Sequence, residues 1–313
     1  MHDLTVITYH YVRNLSLSRY PNIKGLSTGE FREQISFLLK RYTFVSVQDC
    51  IDAVYHNDSG FPNNAVLLTF DDGYLDHFTD VFPILDEHEI QGCFFAPANP
   101  ILNHRVLNEN KIHYILSTTS NIESLIKEIY NILDLYRSEY NLETNEYYFR
   151  KLGLKTTFDT KEVMFIKRLL QYELENRLRT LIVEELFQKY VTKDEASFSK
   201  ELYMDIDQIK CMIRNGMYFG SHGFDHCWLN RLPQEKQEEE IDLSLNFLSQ
   251  IGASLENWVM SYPHGGYSIG LVETLKKKNC KLAFTIDEGL SELTQTNALT
   301  LKRIDAKTLH KFK

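Results

Sequence analysis

The chain has 313 residues, 43% of them hydrophobic and 12% aromatic, enough for one large domain or two small ones with a full core. Its formal net charge of −9 argues against binding to nucleic acid or to an anionic membrane surface, because both require a basic protein surface. No segment approaches the roughly 18–20 consecutive apolar residues of a membrane span, which argues against an integral membrane protein.

Residues 4–98 alternate short apolar segments with amphipathic helical patterns. The apolar segments predict strands at 4–9, 43–47, 65–70 and 92–96. The first helix begins with a capping-box pattern, because Ser27 is followed three residues later by Glu30. Two further helices are predicted at 48–56 and 76–88. This alternation is typical of parallel strands joined by crossover helices.

The character of the chain changes over residues 107–201. This stretch is rich in Leu, Ile, Glu, Lys and Tyr, contains a single glycine and has no proline. Apolar residues recur at helical spacing in three places, 122–133, 163–170 and 178–186. We therefore predict an all-helical insertion that divides the main domain, with boundaries at 1–102, 103–203 and 204–313.

The alternating pattern resumes after the insertion. Helices are predicted at 205–214, 233–250 and 270–278, and strands at 217–221, 258–261, 281–285 and 299–304. The whole chain then contains seven or eight strand–helix units. This organisation predicts an α/β fold, a distorted (β/α) barrel, with a doubly wound open sheet as the alternative.

Two carboxylates stand where a predicted strand ends. Residues 65–75 read A-V-L-L-T-F-D-D-G-Y-L, an apolar strand followed by Asp71, Asp72 and a glycine turn. The carboxyl ends of strands carry the chemistry in α/β proteins. Adjacent strand residues point to opposite faces, so both carboxylates reach one site only if the strand breaks there, which Gly73 allows.

A second segment, S-H-G-F-D-H, follows another predicted strand and contains His222 and His226. Their spacing of four predicts that both side chains lie on one helical face and bind one ion. With one of the two carboxylates they form a 2-His-1-carboxylate set with open coordination positions. Asp225 or Ser221 could orient the histidines, and the second carboxylate is left to handle a proton. The sequence therefore predicts a metal-dependent hydrolase.

Two more segments lie at strand ends. Y-P-H-G at 262–265 is typical of a turn and could aim a backbone N–H at a developing oxyanion. His10, in the run Tyr9-His10-Tyr11, ends the first predicted strand. It should therefore lie at the same end of a barrel as the metal ligands, in a catalytic or substrate-binding role.

The N-terminus and the cysteines predict a cytoplasmic location. Residues 1–10 have neither a basic region, nor a long apolar core, nor a small-residue cleavage site. The five cysteines are an odd number without a C-x-x-C pair, which is typical of reduced thiols.

Together, T-F-D-D-G-Y, S-H-G-F-D-H and Y-P-H-G resemble the motifs of the polysaccharide deacetylase family, also called the NodB-homology domain or carbohydrate esterase family four. The resemblance covers roughly residues 4–98 and 205–305 and leaves the helical insertion outside. It implies a distorted (β/α) barrel of NodB-homology type and a divalent metal ion, most often Zn²⁺. It also implies hydrolysis of an N-acetyl group from an amino sugar, with release of acetate.

Roles follow from the resemblance by position. It implies that Asp71 is the general base and that Asp72, His222 and His226 are the metal ligands. The residues assigned to substrate or oxyanion contacts are Tyr262, Pro263, His264, Gly265 and Tyr74.

Two positions depart from the family's pattern. The third motif of the family usually carries an arginine that pairs with the base, but Ser261 stands there. Arg303, near the end of the last predicted strand, is a candidate substitute. The family's general-acid histidine usually lies near the C-terminus, where this chain has only His310. Some relatives use a histidine from an N-terminal Tyr-His pair, so we prefer His10 as the acid.

The sequence thus predicts a cytoplasmic, metal-dependent carbohydrate N-deacetylase. Its expected substrate is an acetylated amino sugar, nucleotide-linked, lipid-linked or free, that serves as an intermediate of surface polysaccharide biosynthesis. An amidase acting on a non-sugar C–N bond and a catalytically inactive carbohydrate-binding relative are the alternatives.

Overall fold

The computed structural model describes residues 2–56, 60–156 and 159–312. The chain divides into two compact units. The first consists of Met1–Asn14, Gly25–Arg105 and Ser199–Lys313, and the second of Leu15–Lys24 and Val106–Phe198.

All strands of the described residues belong to the first unit. In chain order they are β1 (His2–Tyr9), β2 (Val12–Arg13), β3 (Leu26–Ser27), β4 (Thr43–Phe44), β5 (Ala65–Asp71), β6 (Gly92–Ala96), β7 (Tyr218–Ser221), β8 (Val259–Ser261), β9 (Leu282–Glu288), β10 (Ser291–Leu293) and β11 (Leu301–Asp305).

Seven of these described strands are mutually parallel and close into a barrel. Their order is β1, β11, β9, β8, β7, β6 and β5, and β5 pairs again with β1. β4 and β6 share one edge of β5, β4 at its start and β6 at its end, which distorts the barrel. β10 pairs antiparallel with the start of β1. The predicted distorted (β/α) barrel is confirmed, and the open-sheet alternative is wrong because β1 and β5 close the ring.

The helices of the described residues cover most of the remaining chain. The α-helices are α1 (Thr28–Leu38), α2 (Val47–Tyr55), α3 (Phe82–Glu87), α4 (Ala98–Asn103), α5 (Asn108–Thr118), α6 (Ile122–Tyr136), α7 (Asn145–Leu152), α8 (Lys161–Arg168), α9 (Asn176–Tyr190), α10 (Glu195–Leu202), α11 (Ile206–Arg214), α12 (Gln234–Ile251) and α13 (Ile269–Lys277). Two π-helices lie at His77–Val81 and Leu169–Glu173, and four 3₁₀-helices at Leu15–Leu17, Leu229–Arg231, Pro263–Gly265 and Ala306–Phe312.

Local sequence signals account for several helix boundaries. The predicted capping box is confirmed at the start of α1, where the Ser27 hydroxyl accepts the Glu30 N–H and the Glu30 carboxylate accepts the Ser27 N–H. In the second unit, α6 buries Leu125, Ile129 and Leu133 at helical spacing. Across the described residues, none of the helices combines the length and the apolar character needed to cross a membrane.

The parity of the barrel strands decides which side chains face inward. Leu67 of β5 belongs to a cluster of buried hydrophobic residues, and Asp71 lies four residues later on the same face. In β11 and β8 the same parity places Arg303 and Ser261 on the inner face, two residues after a core residue in each case. Three inward positions at the carboxyl ends of barrel strands are therefore polar.

Candidate active site

Asp71 forms a buried, bidentate ion pair with Arg303 of β11. Arg303 Nη1 donates to Asp71 Oδ1 at 2.9 Å and Nη2 to Oδ2 at 2.8 Å, and each residue is 2% exposed. Arg303 Nε donates to the carbonyl of Thr285 at 2.8 Å, which holds the guanidinium plane in position. The structure thus places Arg303 beside the carboxylate for which the sequence offered it as a partner.

This ion pair keeps Asp71 ionised. Burial alone would raise the pKa of Asp71, but the charge of Arg303, followed by that of His222, lowers the pKa to about 2. The Ser261 hydroxyl also donates to Asp71 Oδ2 at 3.2 Å. At neutral pH, Asp71 is therefore a carboxylate with fixed orientation.

Asp72 reaches the same end of the barrel because the backbone turns sharply after β5. Asp72 has φ 75° and Gly73 has φ 66°, both in the left-handed region. A Cβ atom on Gly73 would also lie 2.8 Å from Cβ of Ala96. The break in the strand therefore begins at Asp72 itself, and Gly73 is required for its backbone conformation and for its close packing.

His222 and His226 converge on Asp72 from the ligand loop, residues 221–227, which begins at the last residue of β7. This loop is irregular, so the predicted helical face is wrong. Left-handed backbone at Gly223 (φ 72°) and at His226 (φ 53°) turns the chain instead. The two imidazole centroids lie 4.7 Å apart, and the Nε2 atoms of His222 and His226 are 3.5 Å and 3.3 Å from Asp72 Oδ1.

The three side chains fit a divalent metal ion. His222 Nδ1 lies 2.7 Å from the carbonyl oxygen of Ser261, which can only accept, so Nδ1 carries the proton and Nε2 presents a lone pair. That lone pair faces Asp72 Oδ1, a buried oxygen with no hydrogen-bond partner in the part of the chain that the structure describes. Two acceptors that face each other in a buried site are stabilised by a shared cation.

The environment of Asp72 favours its charged form. Burial alone would raise its pKa, but with protonated imidazoles at His222 and His226, the state in which no ion is bound, the pKa lies well below its usual value. The Tyr74 hydroxyl donates to Asp72 Oδ2 at 2.6 Å, and the Tyr74 ring is fully buried against Tyr11. The sequence assigned Tyr74 to substrate contacts, whereas in the structure its hydroxyl orients the Asp72 carboxylate.

The structure does not support an oxyanion role for three residues of the turn at 262–265. Tyr262 is buried, its hydroxyl donates to the Leu299 carbonyl, and its N–H donates to the Phe284 carbonyl. Pro263 has no N–H, and the Gly265 N–H donates to the Tyr262 carbonyl at 2.9 Å. These residues shape the turn and offer no backbone donor to a substrate.

His264 contacts the ligand loop. Its Nε2 lies 3.2 Å from the carbonyl oxygen of His226, and its ring meets the His226 ring edge-on with centroids 4.5 Å apart. The opposite side of the ring stacks on Trp228 at 4.6 Å. His264 therefore steadies the second histidine through its side chain.

His10 lies at the end of β1 with its side chain exposed. Tyr9 pairs with Phe70 of the neighbouring strand β5, so His10 and Asp71 follow at the same level of the barrel. The His10 carbonyl accepts a hydrogen bond from Nε2 of the buried His77 at 2.9 Å. The side chain of His310, the other candidate acid, lies outside the described residues.

Comparison with families of known proteins agrees with this site. The polysaccharide deacetylase model matches residues 58–132 and 156–283, more than half of the chain, and all three motifs lie within the match. The chain belongs to the polysaccharide deacetylase family. It is therefore a carbohydrate N-deacetylase, a hydrolase. The match also extends into the helical segment, which the sequence resemblance had left outside.

Solved structures share the fold of this deacetylase at low sequence identity. Streptococcus pyogenes deacetylase PplD, in complex with acetate, is 17% identical, with a TM-score of 0.58 over 97% of this chain and 92% of that one. IcaB from Ammonifex degensii is 18% identical, with a TM-score of 0.56 over 100% and 96%. The de-N-acetylase from Aggregatibacter actinomycetemcomitans is 16% identical, with a TM-score of 0.55 over 99% and 100%. No curated protein matches the chain significantly.

The deacetylase also uses residues that the sequence analysis missed. The carbonyl of Ser261, rather than Asp225 or Ser221, orients His222. Glu240 and Ser244 of α12 bind the ligand loop. A signal for these two residues was available, because both are polar at positions where the helix faces the core.

Proposed function

We propose that this deacetylase is metal-dependent and removes an N-acetyl group from an amino sugar. One observation carries the proposal: the Nε2 atoms of His222 and His226 converge on an oxygen of Asp72, beside a carboxylate that Arg303 keeps ionised. Three protein ligands leave coordination positions open for water and substrate. Two imidazoles and one carboxylate are a typical ligand set for catalytic zinc, so we propose Zn²⁺.

In the proposed reaction, Asp71 is the general base and His10 is the general acid. The ion, when bound, supplies Lewis acidity and lowers the pKa of water. Asp71 accepts a proton from the attacking water while the water oxygen adds to the amide carbonyl carbon. His10 donates a proton to the leaving nitrogen as the C–N bond breaks, and acetate and a free amine are released.

The proposed substrate is an intermediate of surface polysaccharide biosynthesis inside the cell, namely a nucleotide-linked, lipid-linked or free acetamido sugar. The structural neighbours include a de-N-acetylase and a deacetylase in complex with acetate, which supports an N-acetyl group. The five cysteines are free thiols, and this usage suits a reducing compartment.

Acetate release from a panel of N-acetylated compounds tests the proposal. The panel contains N-acetylglucosamine in free, nucleotide-linked and lipid-linked form, an N-acetylated oligosaccharide and a non-sugar acetamide. We expect chelation to abolish acetate release from at least one sugar and Zn²⁺ to restore it. Hydrolysis of the non-sugar acetamide alone would favour the amidase, and activity that persists without any bound metal would contradict metal dependence.

A further inference from the structure

Helix α12 buries a row of polar side chains on the face where an amphipathic helix usually presents apolar ones. Gln237, Glu240 and Ser244 are 7%, 8% and 1% exposed, and their spacing of three and four places them on one face. Buried polar groups are nearly always hydrogen-bonded. Glu240 and Ser244 have their partners in the ligand loop.

Glu240 binds the middle of this loop. A single carboxylate oxygen, Oε2, accepts the N–H groups of Phe224 and Asp225, both at 3.0 Å. These two residues lie between the histidines that face Asp72. Glu240 thus holds the part of the loop that lies between His222 and His226.

Ser244, one helical turn further along α12, binds the start of the loop. The Ser244 hydroxyl donates to the Ile241 carbonyl, so the Ser221 hydroxyl donates to Ser244 Oγ at 2.7 Å. Ser221 Oγ in turn accepts the Gly223 N–H at 3.2 Å. The N–H groups of three successive loop residues are therefore bound by side chains on or next to α12.

The carbonyl groups of the loop have other partners. The N–H of Ala98 donates to the Gly223 carbonyl, and the N–H of Asn99 donates to the Phe224 carbonyl. Glu240 of α12, in contrast, holds the loop by one side chain that spans two successive amides. Because Gly223 and His226 are in left-handed backbone conformations, the loop needs such contacts to keep its shape.

We propose that Glu240 is a positioning residue that sets the separation and direction of His222 and His226 and thereby the affinity for the metal ion. The inference rests on the proposed metal dependence. The proposed effect of Glu240 depends on the geometry of its hydrogen bonds rather than on its charge, since one uncharged oxygen in the same place would accept the same two N–H groups. Loss of an outer residue that orients metal ligands typically weakens metal binding about 10–100-fold.

The test compares four proteins by metal affinity and by the absorption spectrum of the Co²⁺-loaded form. Apo wild type, Glu240→Ala, Glu240→Gln and Gln237→Ala are titrated with Zn²⁺ against a chromophoric chelator. Gln237→Ala is the matched control, because it removes a buried hydrogen bond from the same helix face, to the Leu232 carbonyl, without touching the ligand loop.

We expect Glu240→Ala to bind Zn²⁺ about 10–100-fold more weakly and to change the Co²⁺ spectrum. Glu240→Gln should stay within about threefold of wild type and keep its spectrum, since it retains the accepting oxygen. Gln237→Ala should bind like wild type. Wild-type affinity in Glu240→Ala overturns the inference, and equal losses in the Ala and Gln variants assign the effect to charge and also overturn it.

Two further variants decide the matter if Glu240→Ala does not fold. Glu240→Asp keeps the charge but is one methylene too short to reach both amides, and Ser244→Ala removes the contact with Ser221. We expect weaker Zn²⁺ binding in both, and wild-type affinity in both would overturn the inference. A wild-type protein that binds no divalent ion would instead contradict the proposed function, before any variant is compared.

Discussion

Asp71 and Asp72 are neighbours in the chain, yet their side chains have different partners. Asp71 receives two N–H groups from Arg303 and one hydroxyl from Ser261. Asp72 receives one hydroxyl, from Tyr74, and faces two imidazole nitrogens with its other oxygen. The first environment suits the proposed general base, and the second suits the proposed metal ligand.

These surroundings predict opposite effects of the same substitution. Asp71→Asn should keep its metal and lose about 10²–10⁴-fold in turnover, because it removes the base but no ligand. Asp72→Asn should lose most of its metal, because a neutral amide binds a divalent cation more weakly than a carboxylate does. Elemental analysis and acetate release measure the two effects. Metal lost from Asp71→Asn and kept by Asp72→Asn would exchange the two roles.

Arg303 should control the acid limb of the pH–rate profile. With Arg303 present, the pKa of Asp71 is about 2, so the base is ionised throughout the neutral range. In Arg303→Met, burial raises the pKa of Asp71 and the acid limb should move to higher pH. Arg303→Lys keeps the charge without the two-pronged contact and should move the limb less. An acid limb that does not move in folded Arg303→Met would show that Asp71 is not the base.

The same substitution should lower stability in a pH-dependent way. A carboxyl group whose pKa is lower in the folded than in the unfolded state stabilises the fold when the pH is above its pKa in the unfolded chain. For Asp71 this stabilisation is lost as the pH falls toward about 2, its pKa in the folded protein. Removing one partner of a buried ion pair costs about 3–5 kcal/mol. Urea unfolding of Arg303→Met should therefore show its largest deficit near neutral pH, and an equal deficit at pH 7 and at the lowest accessible pH would contradict this account.

His10 should act on turnover rather than on substrate binding. If its imidazolium protonates the leaving amine, His10→Ala should lower kcat far more than KM and flatten the alkaline limb of the pH–rate profile. His56→Ala is a suitable control, since His56 is an exposed histidine that pairs with Asp52 on α2. An active His10→Ala enzyme together with an inactive His310→Ala enzyme would move the acid to the C-terminus.

At the scale of the secondary-structure elements, β7 is packed closely between its neighbours β6 and β8. A Cβ atom on Gly220 would lie 2.6 Å from the ring of Phe95 and 2.7 Å from the carbonyl oxygen of Val259. The second of these atoms belongs to the backbone of β8 and cannot move without disturbing the ladder. The glycine therefore allows β7 to approach β6 and β8 where the ligand loop begins.

Gly220→Ala should destabilise the fold by about 1–3 kcal/mol through overpacking. Gly270→Ala is the matched control, because a Cβ atom there would meet nothing within 4 Å and its helical backbone suits alanine. It should be neutral or stabilise by about 0.4–1 kcal/mol. Urea unfolding measures both, and equal stability of the two variants would show that the strands separate at little cost.

At the scale of the whole molecule, the site exists only when the barrel is closed. Asp71 and Arg303 are 232 positions apart in the chain. Asp72 precedes the helical segment in the sequence, and His222 and His226 follow it. An unfolded chain cannot bring these groups together. Metal binding should therefore select the folded state and stabilise it by mass action.

Free Zn²⁺ at about 100 times its Kd should raise the free energy of unfolding by about 2.7 kcal/mol. For a protein of this size the increase corresponds to a rise in Tm of roughly 5 °C. Thermal unfolding with and without Zn²⁺ measures the shift, with His222→Ala as the variant that should lose it. The same rise in His222→Ala would place the stabilising ion elsewhere.

Local patterns in the sequence were sufficient for the barrel and for naming Asp72, His222 and His226, which the structure brings together. Alternation of apolar strands with amphipathic helices predicts parallel strands because each periodicity is a property of consecutive residues. The Asp-Asp-Gly run and the two histidines are likewise short segments whose chemistry can be read residue by residue. The strands β2, β3 and β10 escaped prediction, because two or three residues are too few to show a period and none of these strands lies within a longer apolar segment.

Only the tertiary structure decided how these residues are held. The ligand loop is irregular, and its shape depends on Glu240 and Ser244, whose partners lie in a different segment. Tyr74 and Tyr262 turned out to be buried supports because neighbouring strands and rings cover them. Contacts between residues far apart in the chain leave no period and no motif. They follow from the closure of the barrel, which brings the carboxyl ends of β5, β8 and β11 together at one end.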